Sequence, residues 1–165
     1  MGKSTMGNKR LDLQKIRAIA NYQFESNVGH ILFPEEVELT HSRRTGRIRH
    51  ISLEGGLLAT LRPRDSLFSL TIHGAQRLKT ALKPLQSRVV ARKDVEEFIK
   101  SGRNLFARHV VTVDEEVRPG NEVVVTNEDD EILAVGRALL SGMEMLAFKR
   151  GVAVKVRRGV EEVGG

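Results

Sequence analysis

The 165-residue chain contains no cysteine, which excludes disulfide bonds, thiolate nucleophiles and zinc sites built on sulfur. No run of apolar residues approaches the length of a membrane span. The N-terminal segment MGKSTMGNKR also lacks the apolar core of a signal peptide. Together these absences predict a cytoplasmic protein.

Catalytic motifs are missing from the sequence as well. The five histidines show no HxxxH or HExxH spacing, and no serine lies in a GxSxG context. Gly55-Gly56 lacks the lysine and the helix of a phosphate-binding loop. The sequence therefore predicts no catalytic residue, no metal site and no cofactor, and hence a protein that is not an enzyme on its own.

Charge is plentiful and unevenly distributed. The net charge is +6 and the pI is about 10.0, which favours polyanionic partners. Residues 1–86 hold 14 Lys/Arg against 7 Asp/Glu, whereas residues 87–165 hold 13 against 14, so the balances of +7 and −1 sum to +6. In the second half the cations near residues 149–158 are separated from acidic turns, which predicts either one basic face or an ordinary solvated surface.

The first half has the pattern of a small α+β domain over residues 10–83, after a flexible tail at residues 1–9. Apolar residues at helical spacing predict a helix over residues 10–23. The short connection Glu54-Gly55-Gly56 favours a hairpin between two strands. Predicted strands cover residues 36–41, 47–53, 57–62 and 66–72. A second helix, marked by Ala75 and Leu78, ends before Pro84.

The second half, residues 87–158 with a flexible tail at 159–165, has the pattern of a small β-barrel. Its helix is predicted to be capped by Asp94, to carry an apolar stripe that includes Phe98, and to end at Gly102. Predicted strands cover residues 87–91, 105–113, 122–126, 132–140 and 151–157, with a helical piece at 143–149. Many short strands with Gly-rich turns are typical of a closed or nearly closed barrel.

Two basic corners in the second half are candidate RNA-binding sites. At Ser101–Asn104, backbone N–H groups and the side chains of Arg103 and Asn104 could reach phosphate or sugar oxygens. The second corner precedes a strand whose alternation projects Lys155 and Arg157 from one face. The predicted RNA-binding residues are Gly102, Arg103, Asn104, Arg108, Lys149, Arg150, Gly151, Lys155 and Arg157.

The first half contributes a secondary RNA-binding candidate. It consists of four arginines in and beside a predicted strand, Arg43, Arg44, Arg47 and Arg49. Strand periodicity predicts that Arg47 and Arg49 share a face. The alternative interpretation is an edge strand that charge protects from unwanted pairing.

Aromatic residues are scarce, with six Phe, one Tyr and no Trp. Proteins that bind single strands need exposed aromatic side chains on which bases stack. Most Phe positions fall on predicted apolar stripes, so the sequence favours recognition of a folded RNA through its backbone and shape.

Three segments of residues 87–158 resemble the PUA domain, FIKSGRNLFARHVV, VRPGNEVVVTNEDDEILAVGRALLSG and FKRGVAVKVR. Three segments of residues 10–83 resemble the domain that precedes the PUA domain in archaeosine tRNA-guanine transglycosylase, LDLQKIRAIANYQF, LFPEEVEL and RTGRIRHISLEGGLLATLRPRDSLFSLTIHGAQRL. The implied fold class is α+β, a small α+β domain followed by a PUA-type β-barrel.

The resemblance also implies a function. In that enzyme family a catalytic barrel exchanges a tRNA guanine for a deazaguanine base with acidic residues and a structural zinc, while the C-terminal domains hold the tRNA. This chain has no segment that matches the catalytic barrel and no cysteine for the zinc. The resemblance therefore implies tRNA binding in support of tRNA modification, without base exchange.

Three hypotheses are open at this point. The leading one is a tRNA-binding protein that is equivalent to the C-terminal domains of the transglycosylase. In one version of this hypothesis it is the partner of a separate catalytic transglycosylase subunit. The second is a free-standing PUA adaptor in translation or ribosome biogenesis that binds ribosomal or other structured RNA. The third, an enzyme that acts alone on RNA or nucleotides, finds the least support in the sequence.

Overall fold

The computed structural model describes residues 6–82 and 85–162, which fall into two compact units divided between residues 84 and 85. In the described residues, every helix is too short or too polar to cross a bilayer. Helix α1 begins at Met6, so it includes part of the segment predicted to be a tail. Residues 1–5 and 163–165, which hold the rest of the two predicted tails, lie outside the described residues.

The first unit combines three helices with one antiparallel sheet. Its elements are α1 (Met6–Gln23), α2 (Gly29–Leu32), β1 (Glu38–His41), β2 (Ile48–Leu53), β3 (Gly56–Leu61), β4 (Phe68–Leu70) and α3 (Ile72–Ala81). The strands pair in chain order, β1-β2-β3-β4. Glu54 and Gly55, with φ of 51° and 82°, form the two-residue turn between β2 and β3. Such turns match the twist of a hairpin, and glycine adopts that backbone region without strain.

Aromatic and aliphatic side chains form the core of the first unit. The rings of Phe33 and Phe68 are fully buried, with centroids 5.1 Å apart and planes tilted by 58°. Gln23 fixes the sheet to α1, because its side chain donates to the carbonyl of Phe68 at 2.8 Å and accepts from the Phe68 amide at 2.7 Å. The strands pair in chain order, but these contacts join α1 and Phe33 to β4, so the core is completed by segments that are far apart in the chain.

The second unit is built on a six-stranded sheet. Its elements are β5 (Arg88–Ala91), α4 (Glu96–Lys100), β6 (Leu105–Phe106), β7 (Val110–Val113), β8 (Glu122–Thr126), β9 (Ile132–Ala138), α5 (Gly142–Ala147) and β10 (Val152–Gly159). The strand order is β6-β10-β9-β8-β5-β7, and only the β5–β8 pair is parallel. Leu105, Val125, Leu133 and Val154 belong to the buried core that the sheet encloses.

One bent segment forms both ends of this sheet. The prediction of a continuous strand over residues 105–113 is wrong, because a 3-10 turn at Ala107–His109 divides it into β6 and β7. β6 pairs with β10, whereas β7 pairs with β5. Two further bonds hold the turn, from the Ala107 amide to the Gly151 carbonyl at 3.0 Å and from the Arg92 amide to the His109 carbonyl at 2.9 Å. The bend therefore closes the sheet into a near-barrel.

Asp94 does not cap helix α4, contrary to the prediction. The helix begins at Glu96 after a short 3-10 turn, and its N-terminus has no side-chain cap. Asp94 instead forms an exposed ion pair with Arg92 at 3.1 Å. With Asp94 as its N-cap the helix would begin at residue 95, but the 3-10 turn at Lys93–Val95 moves the start one residue further and makes Val95 the N-cap.

Candidate nucleic-acid interface

Strand pairing joins the two basic segments that lie far apart in the sequence. β6 and β10 align Phe106 with Val152 and Leu105 with Val154. Beyond the end of β6, Asn104 Oδ1 accepts a hydrogen bond from the Val156 amide at 3.0 Å. The structure thus brings residues 102–108 beside residues 149–157 along one strand pair. The sequence alone did not predict that these two strands are neighbours.

The corner at Ser101–Asn104 is closed by its own backbone. Gly102, with φ of +100°, ends α4, and its amide donates to the Ile99 carbonyl at 3.0 Å. The Arg103 amide donates to the Phe98 carbonyl at 3.0 Å, which completes a Schellman motif. These amides are engaged, so the expectation that they reach phosphate is wrong. The Arg103 side chain is then the candidate phosphate-binding group of the corner.

Two arginines of this surface lie over exposed aromatic rings. The Arg103 guanidinium is 5.6 Å from the centroid of the Phe98 ring, and the Arg108 guanidinium is 5.8 Å from that of Phe106. Phe98 is 53% exposed and Phe106 43% exposed. The prediction that Phe98 belongs to an apolar stripe is therefore wrong. Such pairs offer both charge and a flat apolar face to a nucleic acid.

The second basic corner adjoins the Phe106–Arg108 pair. Lys149, Arg150 and Gly151 are all exposed, and Gly151 has a φ of +98° that turns the chain into β10. The carbonyl of Gly151 accepts the bond from Ala107, one residue before Arg108. The second corner therefore lies beside Ala107 and Arg108 at the start of β10, whereas Asn104 of the first corner lies beside Val156, further along the same strand.

Burial and neighbouring charge lower the pKa of His109 below its usual 6.5. Desolvation of the ring is the largest cause, and the positive charges of Arg108 and Arg92 act in the same direction, while Asp94 opposes them. The His109 ring also contacts Phe106 edge-on, with centroids 6.5 Å apart. His109 is consequently favoured in its neutral form at neutral pH, and the fixed cation here is Arg108.

Lys155 and Arg157 differ in what they contact. Arg157 forms a bidentate ion pair with Glu122, whose side chain is fully buried, and its Nη1 donates to Glu122 Oε1 at 2.9 Å. Arg157 occupies a bulge where the register between β10 and β9 shifts, and a bulge redirects its side chain. Lys155 is exposed and forms no ion pair within residues 85–162. The fixed charge of Lys155 is therefore more available to RNA than that of Arg157.

The secondary candidate lies at the β1–β2 connection of the first unit. Arg43, Arg44 and Arg47 are exposed, whereas Arg49 is half-buried on β2. The Ser42 amide donates to the Arg47 carbonyl at 2.7 Å and closes the connection. Among residues 6–82, none of the four arginines forms an ion pair. The cluster is thus a compact group of available cations.

Sequence reasoning missed Phe98, Phe106 and Glu122. A phenylalanine two residues before an arginine, as in Phe106-Ala107-Arg108, is the available signal for an exposed cation–π pair. No pattern marked Glu122 as buried, because it opens an otherwise apolar strand. Across residues 6–82 and 85–162, no group of three or more acidic or histidine side chains converges on a possible metal position.

Two family models match the chain. The model for the patch-forming domain C2 of tRNA-guanine transglycosylase matches residues 14–84, and the PUA domain model matches residues 87–160. The chain is 41% identical over 151 residues to a tRNA-guanine(15) transglycosylase of Methanobrevibacter smithii, covering 92% of the chain and 23% of that protein. It is 46% identical over 147 residues to the same enzyme of Thermococcus kodakarensis, covering 89% and 25%. The chain spans about a quarter of the length of these relatives.

A solved structure shares the fold of nearly the whole chain. A hypothetical protein of Pyrococcus horikoshii superposes with a TM-score of 0.74 at 23% identity, over 94% of this chain and 93% of that one. At this identity the likeness concerns the fold alone. It covers both units.

Proposed function

We propose that this chain, in which residues 14–84 match the patch-forming domain C2 of tRNA-guanine transglycosylase and residues 87–160 match the PUA domain, binds tRNA. The PUA domain is an RNA-binding fold. In this proposal the tRNA is held for modification, and catalysis belongs to a part of the system that these 165 residues do not contain. The choice of tRNA as ligand rests on the similarity to tRNA-guanine transglycosylases. The choice of binding surface rests on the exposed basic and aromatic side chains of the second unit.

The observation that carries the proposal is the surface formed by β6 and β10. It combines Arg103 and Arg108, each over an exposed phenylalanine, with the exposed cations Lys149, Arg150 and Lys155. Cations neutralise phosphates, and flat side chains accept bases or sugars. Neither group is needed for packing, because the enclosed core is made of other residues. A surface of this composition suits a structured RNA that presents phosphates beside accessible bases or sugars.

Binding assays with matched RNAs test the proposal. We expect the purified chain to bind a tRNA transcript at least about tenfold more tightly than unstructured RNA of equal length, a difference of about 1.4 kcal/mol. A ribosomal RNA fragment of similar length is the second comparison. Equal affinity for all three would reduce the binding to non-specific electrostatics, and preference for the ribosomal fragment would favour the adaptor function instead.

A separate experiment tests the catalytic partner. We expect the tagged chain to co-purify with a protein that carries a transglycosylase catalytic barrel, and we expect deletion of the chain to lower archaeosine in tRNA. Normal archaeosine after deletion would remove the link to transglycosylation while leaving tRNA binding to be judged by the affinity measurement.

A further inference from the structure

Three charged residues lie in one row across neighbouring strands of the second unit. The register aligns Glu122 of β8 with Arg137 of β9, and Arg137 with Lys155 of β10. On β10, Val154 and Val156 enter the core, so Lys155 points to the outer face. Directly aligned residues of an antiparallel pair share a face, so the three side chains lie on the same face of the sheet, with Glu122 buried there and Lys155 exposed.

The row contains two like charges directly opposite each other. Aligned residues have Cβ atoms about 4.5 to 5.5 Å apart, and like charges at that distance destabilise a sheet. Within residues 85–162, neither Arg137 nor Lys155 forms an ion pair with an acidic residue. Glu122, the carboxylate in the same row, is occupied by Arg157. Within residues 85–162, the like charges of Arg137 and Lys155 are therefore not neutralised by an ion pair with a carboxylate.

The backbones of β9 and β10 lie unusually close to each other beside the two cations. A Cβ atom on Gly136 would lie 2.3 Å from the Lys155 carbonyl oxygen and 2.9 Å from Val156 Cα. Only glycine permits this close approach of β9 and β10, immediately beside Arg137. Arg137 is half-buried and Lys155 exposed, so the pair forms a site that is partly withdrawn from solvent and still open on one side.

We propose that Arg137 and Lys155 jointly bind one phosphate group, and that the buried Glu122–Arg157 pair keeps Arg157 from competing for it. A phosphate oxygen between the two side chains would relieve their repulsion and accept charge-assisted hydrogen bonds from both. The ligand class is the phosphodiester of an RNA backbone, so this inference rests on the proposed function. It adds Arg137, a residue in neither basic corner, to the RNA-binding surface.

The salt dependence of tRNA binding tests the RNA source of the phosphate. We expect Arg137→Gln to lower the slope of log K against log salt, by at most about one, because it removes one of the two cations that neutralise a single phosphate. The control is Lys15→Gln, which removes the same charge from an exposed position on α1. Equal changes in both variants would reduce the effect to net charge and overturn the proposal.

A double variant tests whether the two cations share one phosphate. We expect the loss of affinity in Arg137→Gln/Lys155→Gln to be smaller than the product of the two single fold-losses, because either change already weakens the same contact. Losses that multiply would assign the cations to separate phosphates and overturn the joint site.

Thermal unfolding in the absence of RNA separates this inference from the proposed function. We expect the midpoint of the full chain to rise more with inorganic phosphate than with chloride of equal ionic strength, and both single variants to lose that increment. In low-salt chloride the variants should unfold at no lower temperature than the unsubstituted chain, because one of two like charges that repel each other is gone.

A phosphate-dependent rise in the unfolding midpoint that is unchanged in both variants would overturn the site. An increment lost without any change in the salt slope would assign the pair to free phosphate and overturn the RNA source. Failure of the chain to bind tRNA would overturn the proposed function alone.

Discussion

All three phenylalanines of the first unit are buried, whereas all three of the second are at least 43% exposed. Burial of one such side chain contributes about 1.5 to 3 kcal/mol, so a domain that leaves three outside forgoes considerable stability. Net charge would assign RNA binding to the first unit, with a balance of +7 for residues 1–86 against −1 for residues 87–165. The placement of aromatic and cationic side chains points to the second. Under the proposed function, the binding surface is therefore located by the neighbours of each cation and not by average charge.

The largest expected difference between the units is in the free energy of unfolding when one phenylalanine in each unit is replaced by alanine. We expect Phe68→Ala to lower the free energy of unfolding by about 4 kcal/mol, because it removes a fully buried ring that packs on Phe33. Phe106→Ala should cost less than about 1 kcal/mol of stability, since its ring is exposed, but should weaken tRNA binding by about 1 to 3 kcal/mol. Urea denaturation and RNA titration measure the two quantities. Equal destabilisation by both changes would erase the contrast between the units.

A second contrast concerns ion pairs. Arg157→Ala removes the bidentate cationic partner of the buried Glu122 carboxylate, which should cost about 2 to 3 kcal/mol, below the full value for a buried pair because Arg157 is itself partly exposed. Arg62→Ala removes the more exposed pair with Asp65 in the first unit and should cost less than about 1 kcal/mol. Chemical denaturation of both variants gives the comparison. Similar losses of stability would mean that the burial of Glu122 does not make its ion pair more costly to break than the exposed pair.

A third test compares the basic surfaces directly. We expect Arg103→Ala to lower the salt slope of tRNA binding by about one, since its guanidinium is the free group of the corner. Replacement of both Arg43 and Arg44 by alanine should lower the slope by less, because they belong to the secondary site. A larger effect in the first unit would make its β1–β2 connection the principal contact.

The smallest effect is the titration of His109. NMR titration should give a pKa below 6.5, and Arg108→Gln should raise it, because one repulsive charge is removed. A folded-state pKa below the unfolded value means that the unfolded chain binds more protons. The resulting stabilisation is present above pH 6.5 and is lost as pH falls through the lowered pKa. A pKa unmoved by Arg108→Gln would leave burial and Arg92 as its determinants.

Local pattern was sufficient where neighbours in the chain determine the structure. The helix at residues 10–23, the hairpin at Glu54-Gly55 and the strand at residues 122–126 were all predicted from periodicity and turn residues. The fold class followed from the resemblance and from the strand count. These features depend on backbone propensities and on burial of one face, both of which the sequence expresses directly.

Contacts between distant segments could not be predicted in this way. The division of residues 105–113 depends on which strands lie at the two ends of the sheet, and that is a property of closure. Asn104 binds the amide of Val156, and Glu122 binds Arg157, across 52 and 35 residues. The roles of these side chains therefore became apparent only once the strands were paired, and the same holds for the opposition of Arg137 and Lys155.

The bent segment between β6 and β7 also bears on the order in which the chain can fold during synthesis. The first unit pairs its strands in sequence, so its sheet can form as each strand emerges. In the second unit the near-barrel closes only when β6 pairs with β10, and the paired residues Leu105 and Val154 are 49 positions apart (154 − 105). Long-range pairing of this kind slows folding and prolongs exposure of unpaired strands. A ribosome-bound chain that lacks residues 152–159 should therefore hold a folded first unit beside an open second sheet.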